Sequence, residues 1–321
     1  MTTLSNVLNG IDDNVFLNED CVSGIKEIPN DSIHLILSDI PYGIGAEEWD
    51  VMHDNQNSAY LGSSPAQKVA GAVFKKRGKP LNGWSEADKK IPYEYYDWCK
   101  QWASDWYRIL KPGGTAFIFA GRRLSHRCAA ALEDAGFTFK DSLCWLRQRA
   151  PHRAQRLSVV YDRRGDEKNT QDWEGWRIGN LRPIYEPILW FTKPYKIGTT
   201  VADNVLMHGV GAYNQDAFLK YVREPDNILD CGFTPKENKI HPTQKPLLLM
   251  QALIELATQR NQIVLDPFAG SGSTLVAAEQ LGRKYIGFEN NHEYFNLAQE
   301  RLGKVERQEL HKMQPALAFS L

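Results

Sequence analysis

Short apolar runs that stop abruptly in polar turns alternate along this chain with stretches of helical spacing. Residues 32–37 (SIHLIL) carry β-branched members and end in SDIPYG, which predicts a buried strand with something polar placed at its end. Residues 93–110 repeat aromatic and aliphatic positions at helical spacing and stop at KPGG, predicting an amphipathic helix. Strands are predicted at 115–120 (TAFIFA), 142–146 and 188–191, with a helix over 124–135 closed by Gly136. The regular pattern resumes with a helix over 247–260 and a strand over 262–265. The loop DPFAGSGS follows, then a helix over 274–281 closed by Gly282 and a strand over 284–288. Such alternation predicts an α/β fold, a mostly parallel sheet with crossover helices on both faces.

Two stretches break the pattern. Residues 50–92, above all 61–92, are rich in Gly, Ser, Pro and Lys, too long for a plain connection, and read as a functional insert loop. Residues 194–240 carry many turn formers and weak periodicity, and read as a small appended lobe. With 321 residues, 42% of them hydrophobic, one domain spanning 1–321 with such insertions is the expected organisation.

Composition narrows the class. No stretch approaches the run of about 20 apolar residues that a spanning helix needs, and the N-terminus lacks both a basic start and an apolar run, so a cytoplasmic protein is expected. Cys21, Cys99, Cys128, Cys144 and Cys231 are odd in number and far apart, matching neither a disulfide framework nor a metal spacing. Net charge is only -1, yet residues 68–90 hold seven Lys or Arg against two acids, and residues 147–164 hold six Arg against one acid. Two basic regions therefore sit in a chain that is acidic elsewhere.

The sharpest chemistry lies in IVLDPFAGSGSTLVAAEQLGRKYIGFE, where a glycine-rich turn joins a strand to a helix and an acid ends the next strand. Gly270 and Gly272 would let backbone approach a ligand closely, and Glu289, 17 residues after Gly272, is placed to accept ribose hydroxyls. The glycine spacing is not that of a dinucleotide loop, and no Gly-Lys-Ser/Thr is present for a phosphate loop. A nucleoside cofactor is the expected ligand.

DPFAGSGST resembles the S-adenosylmethionine loop of amino-group DNA methyltransferases, and SDIPYG at 38–43 resembles their catalytic Asp/Asn/Ser-Pro-Pro-Tyr turn. The catalytic turn comes first, the cofactor loop last, and HPTQKP at 241–246 just before that loop, the circularly permuted order of the β group. The resemblance covers roughly residues 16–302 and implies a Rossmann-like methyltransferase fold with a small inserted recognition lobe. It implies S-adenosylmethionine as cofactor, double-stranded DNA with an extruded base as partner, and no metal. A homodimer and a cognate restriction endonuclease stay open.

An exocyclic amine is a poor nucleophile because its lone pair is delocalised into the ring. If the Asp39 carboxylate and the Ile40 carbonyl each accept one amine hydrogen, that lone pair is localised and aimed at the sulfonium methyl. Pro41 would fix the turn, and Tyr42 would stack on the base. Ile40 departs from the family's usual proline, but a carbonyl is what the position supplies. An acid at the first motif position is the pattern of adenine N6 enzymes. Asp39 therefore points to adenine, with cytosine N4 methylation or an inactive DNA-binding subunit as alternatives.

The same resemblance assigns the cofactor site to Asp266, Phe268, Ala269, Gly270, Ser271, Gly272, Ser273, Thr274, Glu289 and Asn290. It adds Asp20 beside the cofactor adenine and Thr243 and Lys245 at the methionine carboxylate. LKPGG at 110–114 reads as structural. Arg147, Arg149, Arg153 and Arg156 are expected to meet phosphates. Target recognition is expected in residues 194–240, and the Lys-rich insert 50–92 is a further candidate DNA contact.

Overall fold

A computed structural model describes residues 4–43, 86–147, 154–234, 237 and 244–305. In chain order, the first elements are α1 (Leu4–Leu8), β1 (Asn14–Leu17), α2 (Cys21–Gly24), β2 (Ile33–Asp39), α3 (Glu86–Ile109), β3 (Leu110–Phe119), α4 (Ser125–Asp134) and β4 (Thr138–Leu146). An excursion follows, made of β5 (Gln155–Arg156), α5 (Leu157–Asp162), α6 (Glu167–Asp172) and β6 (Arg177–Ile178). The chain then continues through β7 (Tyr185–Thr192), α7 (Val201–His208), α8 (Gln215–Phe218), β8 (Ile228–Leu229) and α9 (Leu247–Ala257). Last come β9 (Ile263–Asp266), α10 (Ser273–Gln280), β10 (Lys284–Phe288) and α11 (His292–Leu302).

Among the described residues, eight strands form one sheet in the order β1-β10-β9-β2-β3-β7-β4-β8. Only β7 runs antiparallel to its neighbours β3 and β4; the other pairings are parallel. Parallel strands need both faces covered, which is why β2 reads as a continuous apolar run. Side chains alternate along it. Leu35 and Leu37, with Phe117 and Phe119, join the core under α9 and α10, while Ile36, with Ala116 and Ile118, joins the core under α3 and α4. This is the expected doubly covered, Rossmann-like sheet.

Helix α3 begins at Glu86, earlier than the spacing alone predicts, and runs over Pro92. Its buried positions Ile91, Tyr95, Cys99, Trp102 and Trp106 recur every three or four residues, so one stripe faces the core. Along that stripe the Trp98, Trp102 and Trp106 rings stand in contact, with centroids 5.6 Å and 4.1 Å apart. Trp102→Ala is expected to cost about 3–5 kcal/mol in urea unfolding, because the cavity left by a fully buried indole cannot collapse. Trp176→Ala, at 62% exposure on the excursion, is expected to stay within about 0.5 kcal/mol of wild type.

KPGG is part of β3 rather than a separate stop. Gly113 has φ +78°, and a Cβ there would lie 2.2 Å from Asn204 Nδ2, so glycine is required. Asn204 in α7 donates to Pro112 O at 3.0 Å and Val210 O at 2.9 Å. Residues 194–234 thus lie against the main sheet: β8 pairs with β4, and Trp145 Nε1 donates to Cys231 O at 2.9 Å. The element that stands away is instead the excursion β5 to β6, whose helices α5 and α6 bury no residue. Residues 50–85 of the predicted insert lie outside the described residues. Among the described residues no helix is long and apolar enough to cross a membrane.

Candidate active site

From β2 the chain crosses through α3 to β3 on one side, while from β9 it crosses through α10 to β10 on the other. The sheet therefore reverses direction between β9 and β2, and ligands bind at the carboxyl ends of strands at such a point. The two predicted motifs meet there. Asp39 ends β2, Asp266 ends β9, and Ser38 Oγ donates to Asp266 Oδ1 at 2.7 Å, tying the two strand ends together.

On the glycine side, Gly270 N donates to Glu289 Oε2 at 2.8 Å, and Asn291 N donates to Glu289 Oε1 at 2.8 Å. Burial pushes the Glu289 carboxyl above its ordinary range, and these two backbone donors oppose that shift. Each oxygen keeps a lone pair for a ligand hydroxyl. Gly270 has φ +50°, and a Cβ built there meets nothing within 4 Å. A ligand can thus approach its backbone, and the residues present fit the ribose of S-adenosylmethionine.

Gly272 differs. Its φ is +75°, but a Cβ would stand 3.0 Å from the Ala298 Cβ of α11, so its glycine serves helix packing. Ala269, Ser271, Ser273 and Thr274 are buried. Arg301 Nη1 donates to Ser271 O at 2.5 Å and reaches Ser273 Oγ at 3.3 Å, and Thr274 Oγ1 donates to Leu37 O at 3.4 Å. These side chains brace the turn from inside. Asp266 does so too: at 2% exposure it also accepts from Phe268 N at 3.2 Å, and burial pushes its carboxyl up to about 6. Phe268 packs on the α3 ladder, with centroid distances of 5.7 Å to Trp98 and 6.2 Å to Trp106. Asp20 caps α2 through Val22 N at 2.8 Å, and Asn290 is exposed.

On the catalytic side, Ile40 N donates to Phe119 O at 3.2 Å and its side chain is buried in the core. A proline would lack that N–H, so the departure from the family pattern has a local reason. Tyr95 of α3 donates its hydroxyl to Pro41 O at 2.7 Å, clamping the turn.

Lys245, the residue expected at the methionine carboxylate, stands beside Asp39. Its Nζ lies 2.5 Å from Asp39 Oδ2, 3.0 Å from the Tyr42 hydroxyl and 3.5 Å from Glu186 Oε2. The rings of Phe119, Tyr42 and Trp145 surround it at 5.1, 5.6 and 6.0 Å. A secluded carboxylate needs a counterion, and Lys245 supplies one here. Glu186, in β7, is a site residue that motif reading missed. The available signal was a carboxylate within the strand YEPILWFT, since acids are seldom buried unless paired. Arg147 pairs with Glu186 at 2.9 Å while its side chain stays 37% exposed. Arg156 is exposed in β5, whereas Thr243, Arg149 and Arg153 lie outside the described residues.

The likeness to known proteins agrees with this geometry. A family model described as DNA methylase, covering N6 and N4 enzymes, matches residues 33–300. The type II methyltransferase M.HindIII of Haemophilus influenzae is 53% identical over 291 residues, covering 89% of this chain and 94% of the relative. M.HinfI, also of Haemophilus influenzae, is 27% identical over 304 residues, covering 91% and 69%. Among solved structures, the cytosine-N4-specific PvuII DNA methyltransferase superposes with a TM-score of 0.59 at 16% identity, covering 94% of this chain and 89% of that one. The M1.HpyAVI–SAM complex superposes at 0.52 with 23% identity, covering 89% and 98%. At those identities the structures speak for the fold alone. The chain belongs to the N6 and N4 amino DNA methylase family, enzymes that transfer a methyl group from S-adenosylmethionine to DNA.

Proposed function

We propose that the base methylated is adenine, at N6. The observation that carries this reading is the ionisable acceptor Asp39 at the end of β2, in the crevice it shares with Gly270 and Glu289. S-adenosylmethionine, when bound, supplies an electrophilic methyl group on sulfur. Everything else is asked of the chain. The Asp39 carboxylate and the Ile40 carbonyl accept the two amine hydrogens, which draws the nitrogen toward tetrahedral geometry and aims its lone pair. Pro41 and Tyr42 shape the turn, which Tyr95 holds from behind. Glu289 accepts the ribose hydroxyls beside the open backbone of Gly270. Phe268, Ala269, Ser271, Asp20 and Asn290 complete the cofactor's surroundings.

The test is purified protein with isotope-labelled S-adenosylmethionine and unmethylated genomic DNA, digested to nucleosides for mass spectrometry. Labelled N6-methyladenine is the expected product. Labelled N4-methylcytosine would overturn the assignment of the base, and no labelled nucleoside would point to an inactive subunit.

DNA is proposed to lie along the exposed excursion, where Arg156, Arg163 and Arg164 are exposed beside Trp173 and Trp176. Recognition of the surrounding sequence is assigned to this excursion together with residues 194–240. Arg156→Ala is expected to weaken binding to all sequences alike and to lower the log-log salt slope by about one unit. Filter binding at several salt concentrations checks this. Kinship with a type II methyltransferase supports a cognate restriction endonuclease as the counterpart in the cell.

A further inference from the structure

Two carboxylates and two cations stand in a chain across the catalytic crevice. Arg147 Nη1 lies 2.9 Å from Glu186 Oε1, Glu186 Oε2 lies 3.5 Å from Lys245 Nζ, and Lys245 Nζ lies 2.5 Å from Asp39 Oδ2. The side chains of Lys245, Glu186 and Asp39 are 3%, 14% and 20% exposed, so water screens them little. The Tyr42 hydroxyl stands 3.0 Å from Asp39 Oδ1 and 3.3 Å from Glu186 Oε2, and its single proton goes to one carboxylate or the other. With all four groups ionised, formal charges in the cluster sum to zero.

We infer that Glu186 is a positioning residue for methyl transfer: through Lys245 and Tyr42 it sets both the orientation and the charge of Asp39. Its place in the fold suits the task. Tyr185 and Glu186 pair with Leu146 and Trp145 of β4, which puts Glu186 beside Arg147 and opposite the turn that Asp39 opens. Glu186 holds the ammonium from the far side, so Lys245 is shared rather than given over to Asp39. An Asp39 whose oxygen were wholly occupied by an ammonium would be a weaker acceptor for a base amine. With no ammonium near it, the Asp39 carboxyl would hold its proton to higher pH, and while protonated one of its oxygens presents an O–H instead of a free acceptor.

This inference rests on the reading of Asp39 as the acceptor of the amine. Groups that face Asp39 are Lys245 and Tyr42, Glu186 from β7 with Arg147 behind it, and Asp266 from β9. Burial is the largest influence raising the Asp39 carboxyl, Lys245 opposes it most, and Glu186 raises it further. The signs follow. Without Lys245 the carboxyl titrates at higher pH, and without the charge of Glu186 it titrates at lower pH.

The experiment is single-turnover methyl transfer to unmethylated genomic DNA, with saturating radiolabelled S-adenosylmethionine, as a function of pH. The acidic limb for Glu186→Gln is expected to move down, and that for Lys245→Met to move up, each by about one pH unit. A structural role alone would lower rate or stability without shifts of opposite sign. Limbs that stay in place, or move together, overturn the inference. Should Lys245→Met fail to fold, a limb for Glu186→Gln that stays or rises overturns it equally. Asp39→Ala, which leaves no acceptor at this position, separates the two readings: retained transfer there overturns the role of Asp39. Lost transfer there with an unmoved Glu186→Gln limb overturns only the role of Glu186.

Discussion

Replacing Asp39 with alanine is expected to cut methyl transfer at least a hundredfold, about 3 kcal/mol, while affinity for S-adenosylmethionine changes little. Asp39 accepts from the base amine as the lone pair localises, so its removal falls on the chemical step. The fold is expected to survive. Lys245 keeps Glu186 as a partner 3.5 Å away, so truncating Asp39 leaves no isolated buried ammonium. Calorimetry of cofactor binding beside single-turnover rates checks both halves. A variant that keeps more than about a tenth of wild-type turnover would remove Asp39 from the acceptor role.

The glycine side predicts the converse pattern, weaker cofactor binding with the same base methylated. Gly270→Val puts a branched side chain into the space before the loop, at φ +50° where branched residues are strained. Glu289→Ala removes the acceptor for the ribose and leaves Gly270 N and Asn291 N without their 2.8 Å partner. Each change is expected to weaken S-adenosylmethionine binding by about 1–3 kcal/mol, roughly five- to 150-fold, in calorimetry. Gly272→Val serves as the contrast. Its side chain would meet Ala298 of α11 instead of open space, so it is expected to lower the unfolding midpoint more than it alters the cofactor constant of the folded fraction. Unchanged affinity in both Gly270→Val and Glu289→Ala would remove the cofactor from this loop.

What the sequence made legible was local. SDIPYG and DPFAGSGS each announce a strand end followed by a turn, and their contents carry chemistry that needs no partner to be recognised. Their meeting at the reversal of the sheet follows from the alternation of strands and helices, and Ser38 donating to Asp266 shows how close it is. What stayed hidden depends on distant partners. Lys245 lies 206 positions from Asp39 and Glu186 lies 144 from Tyr42, so no spacing rule brings them together. Strand β8 is two residues long, too short for any periodicity, and only its pairing with β4 makes it part of the sheet. The excursion β5 to β6 escaped for a similar reason, because α5 and α6 are six residues each, too short for a helical period to stand out. Residues 194–240 read as a small appended lobe from their turn formers, and Asn204 and Trp145 show how the described part is tied to the sheet.

Base identity and the role of Asp39 are tested together in a host that lacks adenine methylation. DNA is isolated from cells producing either the wild-type chain or Asp39→Ala at matched protein levels, and its nucleosides are quantified by mass spectrometry. The account predicts N6-methyladenine with the wild type and none above background with the variant. N4-methylcytosine from the wild type, or undiminished N6-methyladenine from Asp39→Ala, would contradict it.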